Sequence, residues 1–298
     1  MNLLVTGAWL QAKEYIRLLR EYGHSVEFLQ HEVDDLPCSS EWVQGIIGNG
    51  IFLYHPIECF PNLQYIQLTS AGFDRVPMKY VTEHDIVIKN ARGVYSVPMS
   101  EFAVAGVLSL YKRQRFFSDN QKKCLWEKRR DLQELFGRTV SILGCGSVGT
   151  ECAKRFRAFG CKVIGVDISE REDKNYDFIH NMCAIKHVLS ETDIAIITLP
   201  LTADTRHLFN ADLFSAMKED SIIVNIARGA VIDTKALIDA LQNKLQGAVL
   251  DVFEDEPLGN SPLWNMENVI ITPHNSFVGD GNNERMSRVI LENLGVQL

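Results

Sequence analysis

Apolar and polar positions along residues 1–95 alternate in short blocks that predict a βαβ opening followed by further strands. Residues 3–6 are apolar or β-branched, residues 9–22 have the spacing of an amphipathic helix closed by Gly23, and residues 25–29 form the next strand. Short apolar runs at 46–47, 65–68 and 86–88, punctuated by Gly, Pro and Asn, complete a small α/β domain. From Pro98 to about Arg130 the period lengthens. Phe102, Ala105, Leu108 and Tyr111 recur three apart and predict helix, running into a basic stretch of Lys112, Arg113, Arg115, Lys122, Lys123, Lys128, Arg129 and Arg130. Phe116, Phe117, Leu125 and Trp126 interleave with these cations while Asp119 and Glu127 dilute them, so the stretch reads as a solvated helix face and not as a nucleic-acid surface.

The second half is more regular. Six β-branched-rich runs occupy residues 140–143, 162–166, 194–199, 221–226, 247–252 and 269–272, with helical patterns at 149–159, 211–217 and 234–243 between them. Runs that are apolar throughout and alternate with helices predict a parallel sheet covered on both faces. The fold class expected is therefore α/β with two doubly wound parallel-sheet domains, Rossmann-like or flavodoxin-like.

Composition narrows the class of protein further. At 298 residues, 46% hydrophobic and 23% charged, the chain is neither disordered nor collagenous, and its length suggests two domains of roughly 150 residues each. A net charge of -8 argues against a general nucleic-acid binder or a protein held on an anionic membrane, so an anionic substrate must be met by local positive charge. Cys38, Cys59, Cys124, Cys145, Cys152, Cys161 and Cys183 form no CxxC pair, and an odd number does not describe a closed disulfide framework; a reducing cytoplasm is expected. No basic leader precedes the first apolar block, and no apolar run approaches the ~20 residues that span a bilayer. There is no HExxH, and His180 and His187 read as surface histidines, so no metal is expected.

Ligands of open α/β sheets bind beyond the carboxyl ends of the strands. The residues there are Gly144, Asp167, Pro200, Ala227 with Arg228, the 253–256 segment, and Pro273 with His274. Gly144-Cys145-Gly146-Ser147-Val148-Gly149 is a GxGxxG between strand and helix, a turn that lets backbone approach a pyrophosphate and offers helix N-terminal amides to it. Asp167 follows at the end of the next strand, where a carboxylate accepts from a ribose diol and repels a 2′-phosphate; NAD is favoured over NADP. Arg228 reads either as a surface arginine closing a loop or as the planar fork that a carboxylate beside a carbonyl requires. His274 is structural or catalytic, and Glu256 is a candidate to hold its imidazolium.

With these motifs in place the chain resembles the D-isomer-specific 2-hydroxyacid dehydrogenase family over nearly its whole length. The markers are the 144–149 turn with Asp167, Leu199-Pro200-Leu201-Thr202, Asn225-Ile226-Ala227-Arg228-Gly229, Leu250-Asp251-Val252-Phe253-Glu254-Asp255-Glu256-Pro257 and Thr272-Pro273-His274. The resemblance implies that Arg228 binds the 2-oxo acid, His274 exchanges the proton and Glu256 orients His274. NAD contacts would come from Gly144, Gly146, Ser147, Val148, Gly149, Asp167, Leu199, Pro200, Thr205, Ile226 and Ala227, with Asp251 near the nicotinamide carboxamide. In Ser70-Ala71-Gly72-Phe73-Asp74 it implies that the N–H groups of Ala71 and Gly72 hold the substrate carboxylate. It further implies a homodimer, with contacts in 98–130. The cofactor domain, 96–275, would be inserted in a substrate domain of 1–95 plus 276–298, with substrate between the two and closure about Tyr95 and Asn275.

Four departures from the family pattern stand out. Ser147 replaces a longer polar side chain, Arg92 replaces a proline, Phe277 follows the histidine motif, and the chain stops at Leu298, which predicts a less firmly docked small domain. Arg92 and Tyr95 are taken as substrate-binding candidates, with Tyr54 and Phe277 as further candidates for shaping specificity. The expected reaction is NAD-dependent interconversion of a small 2-oxo acid and a D-2-hydroxy acid. The alternatives are an NAD-sensing, corepressor-like binding protein, which the lack of an appended tail disfavours, or hydride transfer with another substrate such as phosphite; Glu256 disfavours the formate type.

Overall fold

The structure, a computed structural model, describes residues 1–297. The expectation attached to the chain's end at Leu298 lies outside the described residues. Two compact units form, one from Met1–Tyr95 with the chain from Gly279 onward, the other from Ser96–Val278. The return to the first unit comes after Val278 and not after Asn275, because the Asn275 and Ser276 N–H groups are tied to the Asp251 carboxylate of the second unit at 2.7 and 2.9 Å.

The first unit contains β1 (Asn2–Thr6), α1 (Ala12–Glu21), β2 (Ser25–Leu29), β3 (Gly45–Gly48), β4 (Tyr65–Leu68), α2 (Met78–Glu83) and β5 (Val87–Lys89). Its five strands are all parallel in the order β2-β1-β3-β4-β5, the flavodoxin-like arrangement. Leu3 and Val5 face α1 and the C-terminal helix Asn282–Asn293, whose Met286, Ile290 and Leu291 complete that half of the core. Leu4, Ile46 and Ile66 point to the other face. This alternation buries the inner strands β1, β3 and β4 on both faces, which is why they show short apolar runs and not a period of two, while the edge strands β2 and β5 keep exposed positions.

In the second unit α3 (Ser96–Tyr111) and α4 (Gln114–Lys122) precede β6 (Thr139–Leu143), α5 (Ser147–Ala158), β7 (Lys162–Asp167), β8 (Phe178–Asn181), α6 (Ile185–Ser190), β9 (Ile194–Ile197), α7 (Ala211–Ala216), β10 (Ile222–Asn225), α8 (Thr234–Asn243), β11 (Gly247–Leu250) and β12 (Val269–Ile271). The strands form one parallel sheet in the order β12-β11-β10-β9-β6-β7-β8. One face packs on α3 and α5 through Ala103, Val107, Cys152 and Phe156, the other on α6, α7 and α8 through Val188, Leu213 and Leu237. Ile142, Ile196 and Val224, fully buried in the three central strands, each stabilise the sheet by about 1.5–3 kcal/mol. Both sheets are doubly wound, as expected.

Two further features differ from the sequence reading. β8 was not anticipated, because His180 and Asn181 dilute its apolar character; an edge strand paired only to β7 can carry them. The helical stretch also stops well before Arg130. α4 ends at Lys122, where Cys124 adopts a left-handed φ of 55° and its N–H bonds to Gln121 O (3.1 Å) while Leu125 N–H bonds to Asn120 O (2.9 Å). These two bonds are a Schellman stop. Beyond it Arg129 pairs with Asp131 and lies 5.0 Å over the Phe116 ring, so Lys128, Arg129 and Arg130 are not on a helix face; Trp126 there is 97% exposed.

Candidate active site

All the strand ends singled out above lie on one edge of the seven-stranded sheet, because every strand in it is parallel. The chain leaves β6 through Gly144, whose φ of +98° favours glycine and where a Cβ would lie 2.9 Å from the Thr198 carbonyl. Gly149 is closed as well, since its Cβ would fall 2.2 Å from Gly144 O. Gly146 is the opposite case: a Cβ there would meet nothing within 4 Å. The turn is thus compressed on its protein side and open on its outer side. The first helical bond of α5 runs from Thr150 N–H to Gly146 O at 2.9 Å, so the amides of Ser147, Val148 and Gly149 precede it and can receive an anion. These residues fit a dinucleotide pyrophosphate. Cys145 sits behind the turn, where burial pushes its thiol up to about 11 and keeps it protonated.

Asp167 closes β7 beside this turn. Its Oδ1 accepts from Ile168 N–H (2.8 Å), and Oδ2 accepts from Cys145 N–H (3.2 Å) and from Arg171 Nη2 (2.9 Å). The same Arg171 nitrogen donates to Cys145 O at 2.7 Å. Sequence reasoning missed Arg171; nearness to Asp167 was the only signal for it. Its charge offsets part of the repulsion that Asp167 would exert on a 2′-phosphate.

Past β9, Leu199 is buried and Pro200 exposed. Buried Thr205 braces this loop, donating to Pro200 O (2.6 Å) and accepting from Thr202 N–H (2.8 Å). Past β10, Ile226 and Ala227 are buried and Asn225 organises the turn, accepting from Ala227 N–H at 3.1 Å and donating to Arg228 O at 3.0 Å. Arg228 is half-buried and its Nη1 bonds to Ala227 O at 2.8 Å.

The imidazole stands at the end of β12. His274 Nδ1 faces Glu256 Oε2 at 2.8 Å, and Glu256 Oε1 is fixed by Phe253 N–H at 3.0 Å. Facing a carboxylate, Nδ1 carries a proton, which leaves Nε2 as the nitrogen that can exchange one. His274 has a left-handed φ of 51°, a strained conformation that its surroundings enforce. Fully buried Asp251 does much of this: it accepts from Thr272 Oγ1 (2.6 Å), Asn275 N–H and Ser276 N–H, while its own carbonyl accepts His274 N–H at 2.8 Å. Asp251 therefore anchors the histidine turn, a task its sequence position did not reveal.

In the first unit the 70–74 loop is braced from within. Ser70 Oγ donates to Gly72 O at 2.9 Å, Asn90 Nδ2 to Ala71 O at 2.7 Å, and Ala91 N–H to Ser70 O at 2.9 Å. The N–H groups of Ala71 and Gly72 have no acceptor among the described residues, which leaves them for an anion. Tyr95 OH donates to Thr69 O at 2.5 Å, and Arg92 is exposed.

The family described as D-isomer specific 2-hydroxyacid dehydrogenase, NAD binding domain, matches residues 104–276. This chain belongs to the D-isomer-specific 2-hydroxyacid dehydrogenase family. As a member of that family it is an NAD(P)-dependent 2-hydroxyacid dehydrogenase, with the NAD-binding fold in its second unit. A glyoxylate reductase of Korarchaeum cryptofilum is 32% identical over 80% of this chain and 74% of its own length. The D-lactate dehydrogenase of Aquifex aeolicus, solved with NAD and lactic acid, superposes with a TM-score of 0.79 at 26% identity, covering 99% of this chain and 96% of that one. A family member from Xanthobacter autotrophicus Py2, solved with NADPH and MES, gives 0.79 at 26% identity, covering 100% and 96%. No helix among the described residues is long and apolar enough to cross a membrane.

Proposed function

We propose that this dehydrogenase reduces a small 2-oxo acid to the D-2-hydroxy acid with NADH, and runs the reverse oxidation. The observation that carries the reading is the His274/Glu256 pair at 2.8 Å, set on the same sheet edge as the open glycine turn. When bound, the nicotinamide supplies the hydride for reduction and takes it back in oxidation. The chain's own residues do the rest.

The 144–149 turn and Asp167 hold the dinucleotide, with Leu199, Pro200, Ile226 and Ala227 as its apolar neighbours. Arg228 presents its guanidinium to the carbonyl and carboxylate oxygens and stabilises the alkoxide as charge develops. His274, protonated at Nε2, donates to that oxygen. Glu256 keeps the ring oriented and balances its charge. The Ala71 and Gly72 amides bind the carboxylate without adding net charge, and Arg92 and Tyr95 contribute to substrate binding. Asp251, fully buried, holds the histidine turn and lies near the nicotinamide carboxamide. NADH is the preferred cofactor, with the Asp167/Arg171 pair narrowing the margin over NADPH.

NADH and NADPH consumption with a panel of 2-oxo acids tests this reading. Turnover of at least one acid, faster with NADH at subsaturating cofactor, is expected. Tight NADH binding without turnover of any acid would favour the sensor instead.

A further inference from the structure

Glu254, the first carboxylate of the Phe253-Glu254-Asp255-Glu256 segment, has no part in the chemistry above, yet two other stretches of chain converge on it. Its Oε1 meets His207 Nε2 at 2.5 Å, and its Oε2 accepts both the Thr234 N–H at 2.9 Å and the Thr234 hydroxyl. Both oxygens are engaged within the protein, so Glu254 is not a spare ligand for substrate. Burial pushes its carboxyl up, but the Thr234 hydroxyl, the Thr234 N–H and His207 outweigh this and hold it below the usual range.

The stretches it joins are those that carry the reacting groups. Arg228 is followed by Gly229, where a Cβ would lie 1.8 Å from the Phe253 carbonyl carbon; the arginine turn therefore lies directly against the acidic segment. Phe253 N–H holds Glu256, and Glu256 holds His274. Five residues past Gly229, Thr234 is bonded to Glu254, so the arginine turn and the acidic segment are tied at a second point. His207 secures the same turn from its other side. Its N–H bonds to Ala230 O at 2.8 Å, Phe209 N–H bonds to Val231 O at 3.1 Å, and Asp233 N–H returns to Phe209 O at 3.0 Å. His207 also adopts a left-handed φ of 50°, a backbone conformation rarely kept by a non-glycine residue unless its neighbours enforce it.

We propose that Glu254, clamped between Thr234 and His207, is a positioning residue that fixes the distance from Arg228 to the His274/Glu256 pair. It rests on the functional reading above. Catalysis by two groups on one small substrate is sensitive to their spacing, and a misplacement of about 1 Å can cost on the order of 10²-fold. Removal of the clamp leaves the Gly229–Phe253 contact in place, so a smaller shift and a loss of about tenfold are expected.

The test compares Glu254→Ala, Glu254→Gln and His207→Ala with the parent enzyme, with kcat expressed per titrated NADH-binding site. Glu254→Ala should lose about tenfold in kcat and weaken the oxo-acid KM, while the NADH Kd stays within about twofold, since the glycine turn and Asp167 are untouched. Glu254→Gln keeps an acceptor for the Thr234 N–H and should recover part of that loss; His207→Ala should lose less than Glu254→Ala. A role in folding alone would lower the number of NADH sites and leave kcat per site unchanged. Glu254→Ala with kcat per site within about twofold of the parent overturns the proposal. If the parent reduces no 2-oxo acid, the function has failed and the clamp is judged on the crystal structure of Glu254→Ala. Displacement of the 253–256 segment from the 229–234 segment would support it, and an unmoved pair of segments would overturn it.

Discussion

His274→Ala lowers kcat for 2-oxo acid reduction about 10²- to 10⁴-fold and leaves the NADH Kd unchanged. The size of the loss follows from the role: a positioned acid lets the carbonyl oxygen be protonated as its charge develops, whereas water must otherwise supply that proton. The selectivity follows from the fold. His274 is held by Asp251 and Glu256 at the end of β12, whereas the amides and the carboxylate assigned to the dinucleotide lie at the ends of β6 and β7, four and five strands away in the sheet order. Steady-state rates with NADH titration by fluorescence check both parts. Near-parental turnover would remove His274 from the mechanism, and a parallel loss of NADH affinity would place it with the cofactor.

Arg228→Lys gives the second large effect, a loss of about 10- to 100-fold in kcat/KM for the oxo acid with little change in the cofactor constant. Lysine keeps the charge but not the planar fork, so one of two charge-assisted bonds to the substrate disappears, at a cost of about 1.5–3 kcal/mol. Asn225 holds the turn through the Arg228 carbonyl and the Ala227 N–H, so backbone geometry survives the exchange. A change confined to the NADH constant would show that Arg228 serves the cofactor instead.

Much of this is legible in the sequence. Parallel strands buried on both faces leave uninterrupted apolar runs, so β6, β7, β9, β10 and β11 stood out, and residues placed just after them had to share one sheet edge. The glycine turn, Asp167 and the His274/Glu256 pairing follow from that rule. The rest was hidden for physical reasons. β8 needs only one partner and tolerates His180 and Asn181. The end of α4 depends on a left-handed Cys124, a residue type that gives no sign of a helix stop. Arg171, Asp251 and Glu254 act through bonds to segments whose approach depends on tertiary packing, so their local sequence does not reveal the partners they hold. Asp251 shows this best: it reads as a cofactor ligand, while its oxygens hold the turn that presents His274.

The most direct test of the central claim follows the hydrogen itself. The enzyme is supplied with NADH deuterated at both C4 positions and a turned-over 2-oxo acid whose reduction creates a stereocentre, and the product is resolved by chiral chromatography and mass spectrometry. The account predicts the D-2-hydroxy acid with one deuterium at C2. An L-product, or a D-product without deuterium at C2, would contradict it.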